Sequence, residues 1–255
     1  MYLRKYLSLL LFLFSTTIAF SQTVVEYVAK NSFTGQNYQS YLFINNLNSI
    51  FIDVFHKNYI GYEELLNDND FINNRRYVSS LKFSIDENIF YGTDAFGKHI
   101  YLYYDKPKIS WNITHESNQI LGYQCKLAYS EYRGRKYKVW YTSDVPLPFG
   151  PWKLNGLPGL ILKAEIDDKF SFEAKRIIFN KEYKIPKRYY DMYNKHDIGI
   201  LLNFKDFITI ENQYFEDIRN KQITNLPKGV VLDYIPSIRE NMIEKSFEWE
   251  ETKKP

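Results

Sequence analysis

Residues 136–165 read KYKVWYTSDVPLPFGPWKLNGLPGLILKAE, with strand patterns at both ends and a loop rich in proline and glycine between them. Four of the nine prolines (Pro146, Pro148, Pro151, Pro158) and three of the eleven glycines (Gly150, Gly156, Gly159) fall inside it. Proline fixes φ and removes a backbone donor, and glycine opens the left-handed region, so the segment continues neither a helix nor a central strand. It reads as a structured turn. Before it, Tyr137, Val139 and Tyr141 share one face, opposite Lys136, Lys138, Trp140 and Thr142. After it, Leu160, Leu162, Ala164 and Ile166 alternate with Ile161, Lys163 and Glu165.

The strand pattern extends outward in both directions. Upstream, Cys125, Leu127 and Tyr129 share a face, and Arg133-Gly134 supplies a hairpin turn into Tyr137, which points Cys125 into the core. Downstream, Asp167-Asp168-Lys169 turns into a strand carrying Phe170, Phe172 and Ala174 on one side. Nearer the N-terminus, Tyr41 and Phe43 alternate with Leu42 and Ile44, Asn45-Asn46 turns, and Ile50, Ile52 and Val54 return as a hairpin. A second hairpin is expected where Ile100, Leu102 and Tyr104 are followed by Lys106-Pro107 and by Ile109, Trp111 and Ile113. The mostly apolar Val24–Ala29 segment is the candidate edge strand. The segment 91–97 has two glycines but no GK[ST] ending to hold phosphate, and reads as a turn.

In the last third Phe204, Phe207, Ile208, Phe215 and Ile218 fall on one helical stripe. Pro236 suits the first turn of a second helix carrying Ile238, Met242, Ile243 and Phe247. Strands followed by helices predict an α+β fold: a mostly antiparallel, strongly curved sheet, an open or half barrel, with one or two C-terminal helices packed on it. The sequence has no internal repeat and no low-complexity linker, so residues 22–255 read as a single domain.

The words GLPGLIL at 156–162, preceded by GPW at 150–152 and GYQC at 122–125, resemble the GLPGLI family of secreted bacterial proteins over about residues 120–166. The motif positions are Gly122, Cys125, Gly150, Pro151, Gly156, Leu157, Pro158 and Gly159. The resemblance implies export in a Bacteroidetes-type organism; it carries no catalytic residue onto this chain.

Residues 1–21 read as a secretory signal peptide, with Arg4 and Lys5 at the positive end, an apolar run 6–14 and a small-residue site ending at Ser21. That run is too short for a membrane anchor, and no transmembrane segment is expected after cleavage. A periplasmic location is favoured over the medium, because the final residues 250–255 read as no sorting module. Cys125 is the only cysteine, so no intramolecular disulfide is available. The formal net charge is +3, and removing Arg4 and Lys5 leaves a nearly neutral chain with its charges interleaved. Nucleic acid is therefore not an expected partner.

Chemical motifs are sparse. A thiol nucleophile would have to be Cys125 with His99 or His115, and a core-facing thiol is hidden and hard to ionise. The four histidines (His56, His99, His115, His196) form no i, i+4 metal pair, and the Asn67–Asp70 run lacks the glycine and glutamate of a calcium loop. No cofactor and no metal are expected. The functional lead is aromatic: Trp140, Phe149, Trp152 and Leu157 on a proline-stiffened loop suit either an apolar or peptidic ligand or a cap over the open end of the sheet. The resulting expectation is a periplasmic or secreted non-enzymatic binding protein, with an apolar ligand or an envelope protein as partner and a role accessory to outer-membrane transport or envelope assembly. The alternative is a secreted hydrolase whose site is assembled from dispersed residues and is marked by a carboxylate pair or histidine of perturbed protonation.

Overall fold

The computed structural model describes residues 22–54, 78–183, 201–227, 234–235 and 237–250. Two runs of consecutive antiparallel strands make up its sheet. The first holds β1 (Thr23–Asn31), β2 (Gln36–Asn45), β3 (Asn48–Val54), β4 (Val78–Ser84), β5 (Ile89–Phe96) and β6 (His99–Asp105). The second holds β7 (Asn112–Ile120), β8 (Tyr123–Tyr132), β9 (Arg135–Thr142), β10 (Leu160–Ile166) and β11 (Phe170–Phe179). The runs join through β1 and β11, and β12 (Leu202–Asn203) adds a short parallel edge, giving the order β12-β6-β5-β4-β3-β2-β1-β11-β10-β9-β8-β7. Helix α1 (Phe204–Thr224) follows at once, its first turn capped by Asn203, whose side chain accepts from the Asp206 amide at 2.9 Å. The architecture is α+β, a large open antiparallel sheet with, among the described residues, one C-terminal α-helix.

The curvature follows from side-chain contacts. In a flat sheet β4 and β9 would stand roughly 29 Å apart, six strand spacings at ~4.8 Å. Yet Phe149 meets Phe83 of β4 edge-on at 6.2 Å, while Trp152, three residues later, lies parallel to Tyr137 of β9 at 6.4 Å. The sheet therefore wraps around the proline and glycine loop, which fills its concave side. Both faces of the central strands are packed: Tyr27, Phe51 and Leu81 belong to the inner core, and Tyr41, Phe43 and Ile52 on the outer side are also buried.

The helix covers the other end of the concave face. Phe207 stacks on Tyr103 at 4.2 Å, and Phe96 packs against Tyr214 and Phe215. Phe204, Phe207 and Ile208 are buried, as their stripe requires.

Four sequence expectations are corrected. The segment 91–97 is not a turn: residues 91–96 belong to β5, and only Gly97, at φ +65°, turns. Gly92 sits mid-strand because the Tyr103 ring lies over it, where a Cβ would overlap the ring. The second hairpin is not formed by residues 100–113, since β6 pairs with β5 and β7 pairs with β8 near the opposite edge of the sheet. Val24–Ala29 is no edge, because β1 is hydrogen-bonded on both sides, to β2 and β11. Ile238, Met242, Ile243 and Phe247 do not share a helix: a single 3-10 turn, Ile238–Asn241, is capped by Ser237, and Met242 is already extended.

Candidate functional site

The loop 143–159 is held by its own backbone and by one outside strap. Leu160 and Ile161 donate to the Val145 and Phe149 carbonyls at 3.0 Å, and the Trp111 indole donates to the Asn155 carbonyl at 2.8 Å. Gly150 and Gly159 are required by close approach. A Cβ on Gly150 would lie 2.8 Å from Ile161 Cδ1, and one on Gly159 would overlap the Thr142 carbonyl oxygen. Gly156, at φ +85°, has open space around it and needs glycine for its conformation alone.

The loop's apolar side chains turn inward. Phe149 and Leu157 are 1% exposed and Trp152 is 9% exposed, so they belong to the core. Trp140 is half-buried on the opposite face of β9, next to Leu127 across the strand pair. The sequence-derived ligand set Trp140, Phe149, Trp152 and Leu157 is thus not brought together on one open groove, and three of its four members cap the sheet. Cys125 is fully buried, and its thiol is pushed up to about 11 by burial. It belongs to the same core as Tyr137 and Val139, as the sequence pattern requires, while Leu127 stands opposite Trp140 in the β8–β9 ladder. Among the motif positions, Gly122 (φ +83°) turns β7 into β8, Pro151 is buried beside Gly150, and Pro158 is exposed.

What the loop contributes is a cation. Trp152 adopts φ +55°, an uncommon conformation for a residue with a Cβ, and the next residue, Lys153, is carried inward to 1% exposure. Its ammonium donates to Asp105 Oδ2 at 2.7 Å and to Glu244 Oε2 at 3.0 Å, and stands 3.7 Å from the centre of the Phe204 ring. Arg133 completes the cluster. It occupies the first position of the β8–β9 turn at φ +44°, followed by Gly134 at +75°, the two positive φ values of a type I′ hairpin. From there its guanidinium grips Asp105 in two bonds of 2.7 and 2.9 Å, meets Glu244, and reaches Glu248 at 3.0 Å.

Two buried cations and two buried anions thus neutralise one another, as desolvated charges must. Burial opposes ionisation of Asp105, but the Lys153 ammonium and the Arg133 guanidinium outweigh it and hold the carboxyl below the usual carboxylate range. Burial likewise works against the Arg133 charge, and Glu244 and Asp105 more than restore it, raising its pKa. Around the cluster lies an aromatic collar. The Tyr132, Phe204 and Phe247 rings stand 4.9, 4.6 and 5.6 Å from the guanidinium carbon.

A cleft of roughly 600 Å³ opens on the solvent side of Arg133. Lys106, Lys108, Glu131 and Glu248 rim it, and Tyr132, Phe247 and Trp249 give it aromatic surface. Phe247 and Trp249 are nearly coplanar, 3° apart with centroids 4.7 Å from each other. The hydroxyls of Tyr132 and Tyr137 are buried without a hydrogen-bond partner among the described residues.

A second polar group lies on the concave face. Directly paired residues place Ser40 beside Asp53 and Asp53 beside Ser79, and the β4–β5 register carries the row on to Asp94 and Tyr101. Ser40 donates to Asp53 at 2.5 Å. Burial pushes the Asp53 carboxyl up to about 7 against the lowering effect of that bond, and the Asp94 charge adds to the rise. Asp94 is itself raised by burial. His99 and His115 lie near opposite edges of the sheet, on β6 and β7, while His56, His196, the Asn67–Asp70 run, Pro236 and residues 1–21, read from sequence as a signal peptide, fall outside the described residues.

Sequence reasoning missed Asp105, Lys153 and Glu244. Each lies in an unremarkable local setting, and only the curl of the sheet brings them together.

With this geometry in hand the chain can be compared with known proteins. A family model described as "N-glycanase peptide, N-terminal domain" matches residues 103–206, less than half of the chain. The solved structure of PNGF-II in its P21 crystal form superposes with a TM-score of 0.53 at 16% identity, covering 77% of this chain and 33% of that one. Its C2 form gives 0.50 at 17%, covering 71% and 30%.

The chain has the fold of part of PNGF-II.

It spans about a third of the length of PNGF-II. A domain of a putative outer membrane lipoprotein-sorting protein from Vibrio parahaemolyticus aligns at 10% identity over 70% of this chain and 93% of its own, with a TM-score of 0.27 that supports no structural argument. Among curated proteins none matches the sequence. No described helix is long and apolar enough to cross a membrane.

Proposed function

We propose that this chain is a secreted or periplasmic binding protein without catalytic activity of its own, a single GLPGLI-type module over residues 22–255, and that its ligand sits in the cleft beside Arg133. The observation that carries this reading is the combination, in one cleft, of exposed charges and aromatic surface over a floor of fully paired, immobile charges. Such a floor is preorganised, so little ordering free energy is lost on binding. Export is supported by the leader-like sequence at 1–21 and by the GLPGLI resemblance. The family description names an N-glycanase, an activity that belongs to that relative; for this chain the proposed role is accessory to outer-membrane transport or envelope assembly.

The test is native mass spectrometry of the protein purified from its own envelope, repeated with Glu131→Ala, which alters only the rim. A co-purifying molecule whose occupancy drops in the variant supports the cleft. A bound molecule indifferent to Glu131, Lys106 and Lys108 substitutions moves the site elsewhere.

One observation favours the hydrolase as a second reading: Asp53 and Asp94 are two carboxyls on one face whose protonation is perturbed by burial. A screen of glycosidase and esterase substrates between pH 5 and 8 tests it. Turnover abolished by Asp53→Asn supports it, and no turnover on any substrate eliminates it.

A further inference from the structure

The free charges of the cleft are not the charges of its floor. Arg133 is spoken for by Asp105, Glu244 and Glu248, whereas Lys106 and Lys108, exposed on either side of Pro107, have no ion pair among the described residues. Glu131 touches only Lys136, at 3.9 Å between two exposed side chains. Trp249 lies flat against Phe247 and keeps part of its indole exposed.

These features select against several ligand classes. An alkyl chain would strip water from Lys106, Lys108 and Glu131 without offering hydrogen bonds in return, which costs free energy for each group. A nucleic acid would need a longer run of cations than Lys106 and Lys108 supply. A pyranose satisfies both demands: its C–H face is apolar and flat enough to lie on an indole, and its equatorial hydroxyls both donate and accept. The two unpaired ammonium groups then favour sugars that carry carboxylates.

We infer that the cleft recognises an acidic oligosaccharide, a short uronic-acid chain stacked on Trp249 with its carboxylates on Lys106 and Lys108. The inference rests on the cleft being the binding site and adds the ligand class. Glu131 and Glu248, on the cleft rim, accept from sugar hydroxyls. An open cleft of roughly 600 Å³ fits a ligand of two or three sugar rings.

The test titrates the full mature protein with trigalacturonate and, separately, with the neutral trisaccharide chitotriose, following the Trp249 indole N–H by NMR. Trigalacturonate is expected to shift that resonance and to bind more tightly than chitotriose, with affinity falling as salt is raised from 50 to 300 mM. Lys106→Gln/Lys108→Gln, confined to exposed side chains, is expected to melt as the parent does and to weaken trigalacturonate by about tenfold, in line with two partly exposed ion pairs. Chitotriose affinity should change less than about twofold. Equal affinity for the two sugars, or a Lys106/Lys108 variant that binds trigalacturonate like the parent, overturns the acidic assignment. Neither sugar binding while the co-purifying molecule still depends on Glu131 overturns the saccharide class and leaves the cleft standing. Neither sugar binding and no rim-dependent molecule removes both.

Discussion

Arg133 and Asp105 form a two-pronged ion pair, at 2.7 and 2.9 Å, between points that a flat sheet would hold roughly 40 Å apart. Arg133 is in the turn between β8 and β9, and Asp105 ends β6, so the pair ties opposite flanks of an open sheet. Lys153 and Glu244 add the inner loop and the C-terminal segment to the same knot. Removing one partner leaves a buried charge uncompensated, which costs about 3–5 kcal/mol. Lys153→Met is therefore expected to lower stability by about that amount in urea denaturation. Lys153→Met combined with Glu244→Leu leaves the Arg133–Asp105 pair balanced and should cost less than the sum of the two single changes.

Two carboxyls should give the stability–pH curve opposite slopes. Asp105 has a lowered folded pKa, so its contribution is present above the ordinary carboxylate value and lost as pH falls through the folded value. Asp53 has a folded pKa near 7, so its contribution is present below the unfolded value and lost as pH rises through about 7. Asp53→Asn is accordingly expected to raise the melting temperature at pH 8 and to leave it unchanged at pH 4. A gain that persists at pH 4 would place the cause outside ionisation.

The loop glycines separate into two kinds. Gly159→Ala and Gly150→Ala force a Cβ into neighbouring atoms and are expected to cost about 3 kcal/mol or more, or to prevent folding. Gly156→Ala meets open space and strains only φ, for about 1–2 kcal/mol. Thermal melts of the three variants check the order. Phe149→Ala belongs with the first kind, at about 3–5 kcal/mol, because that ring is a core residue.

Cys125 should be inert. Its thiol is buried and held in the neutral form well above physiological pH, so a thiol-reactive dye at pH 8 is expected to label it only after denaturant is added. Rapid labelling of the native protein would contradict the placement of β8.

Local features were legible in the sequence. The Arg133-Gly134 turn, the alternation of β9 and β11 and the stripe of α1 depend on residues a few positions apart, and the structure contains all of them. What was not legible depends on distant partners. Gly92 makes β5 look like a turn until the Tyr103 ring covers it. Ile243 and Phe247 have helical spacing, yet Glu244 between them is drawn in by Lys153 and Arg133, and the segment is held without a helix. The aromatic loop side chains were legible as a group. Their inward direction follows from the sheet's curl around them, which no local pattern encodes. Asp105 carries no signal of its role because Arg133 lies 28 residues away in sequence.

The joining of the two strand runs through β1 and β11 sets an order on folding. Each run is a chain of near neighbours and closes quickly, but Thr23 faces Phe179 across the join, so the first strand to leave the ribosome waits for the eleventh. During synthesis the earliest strand keeps one edge bare until about 70% of the 255-residue chain has emerged. A holding chaperone would shorten that exposure, and residues 23–31 are where it would bind.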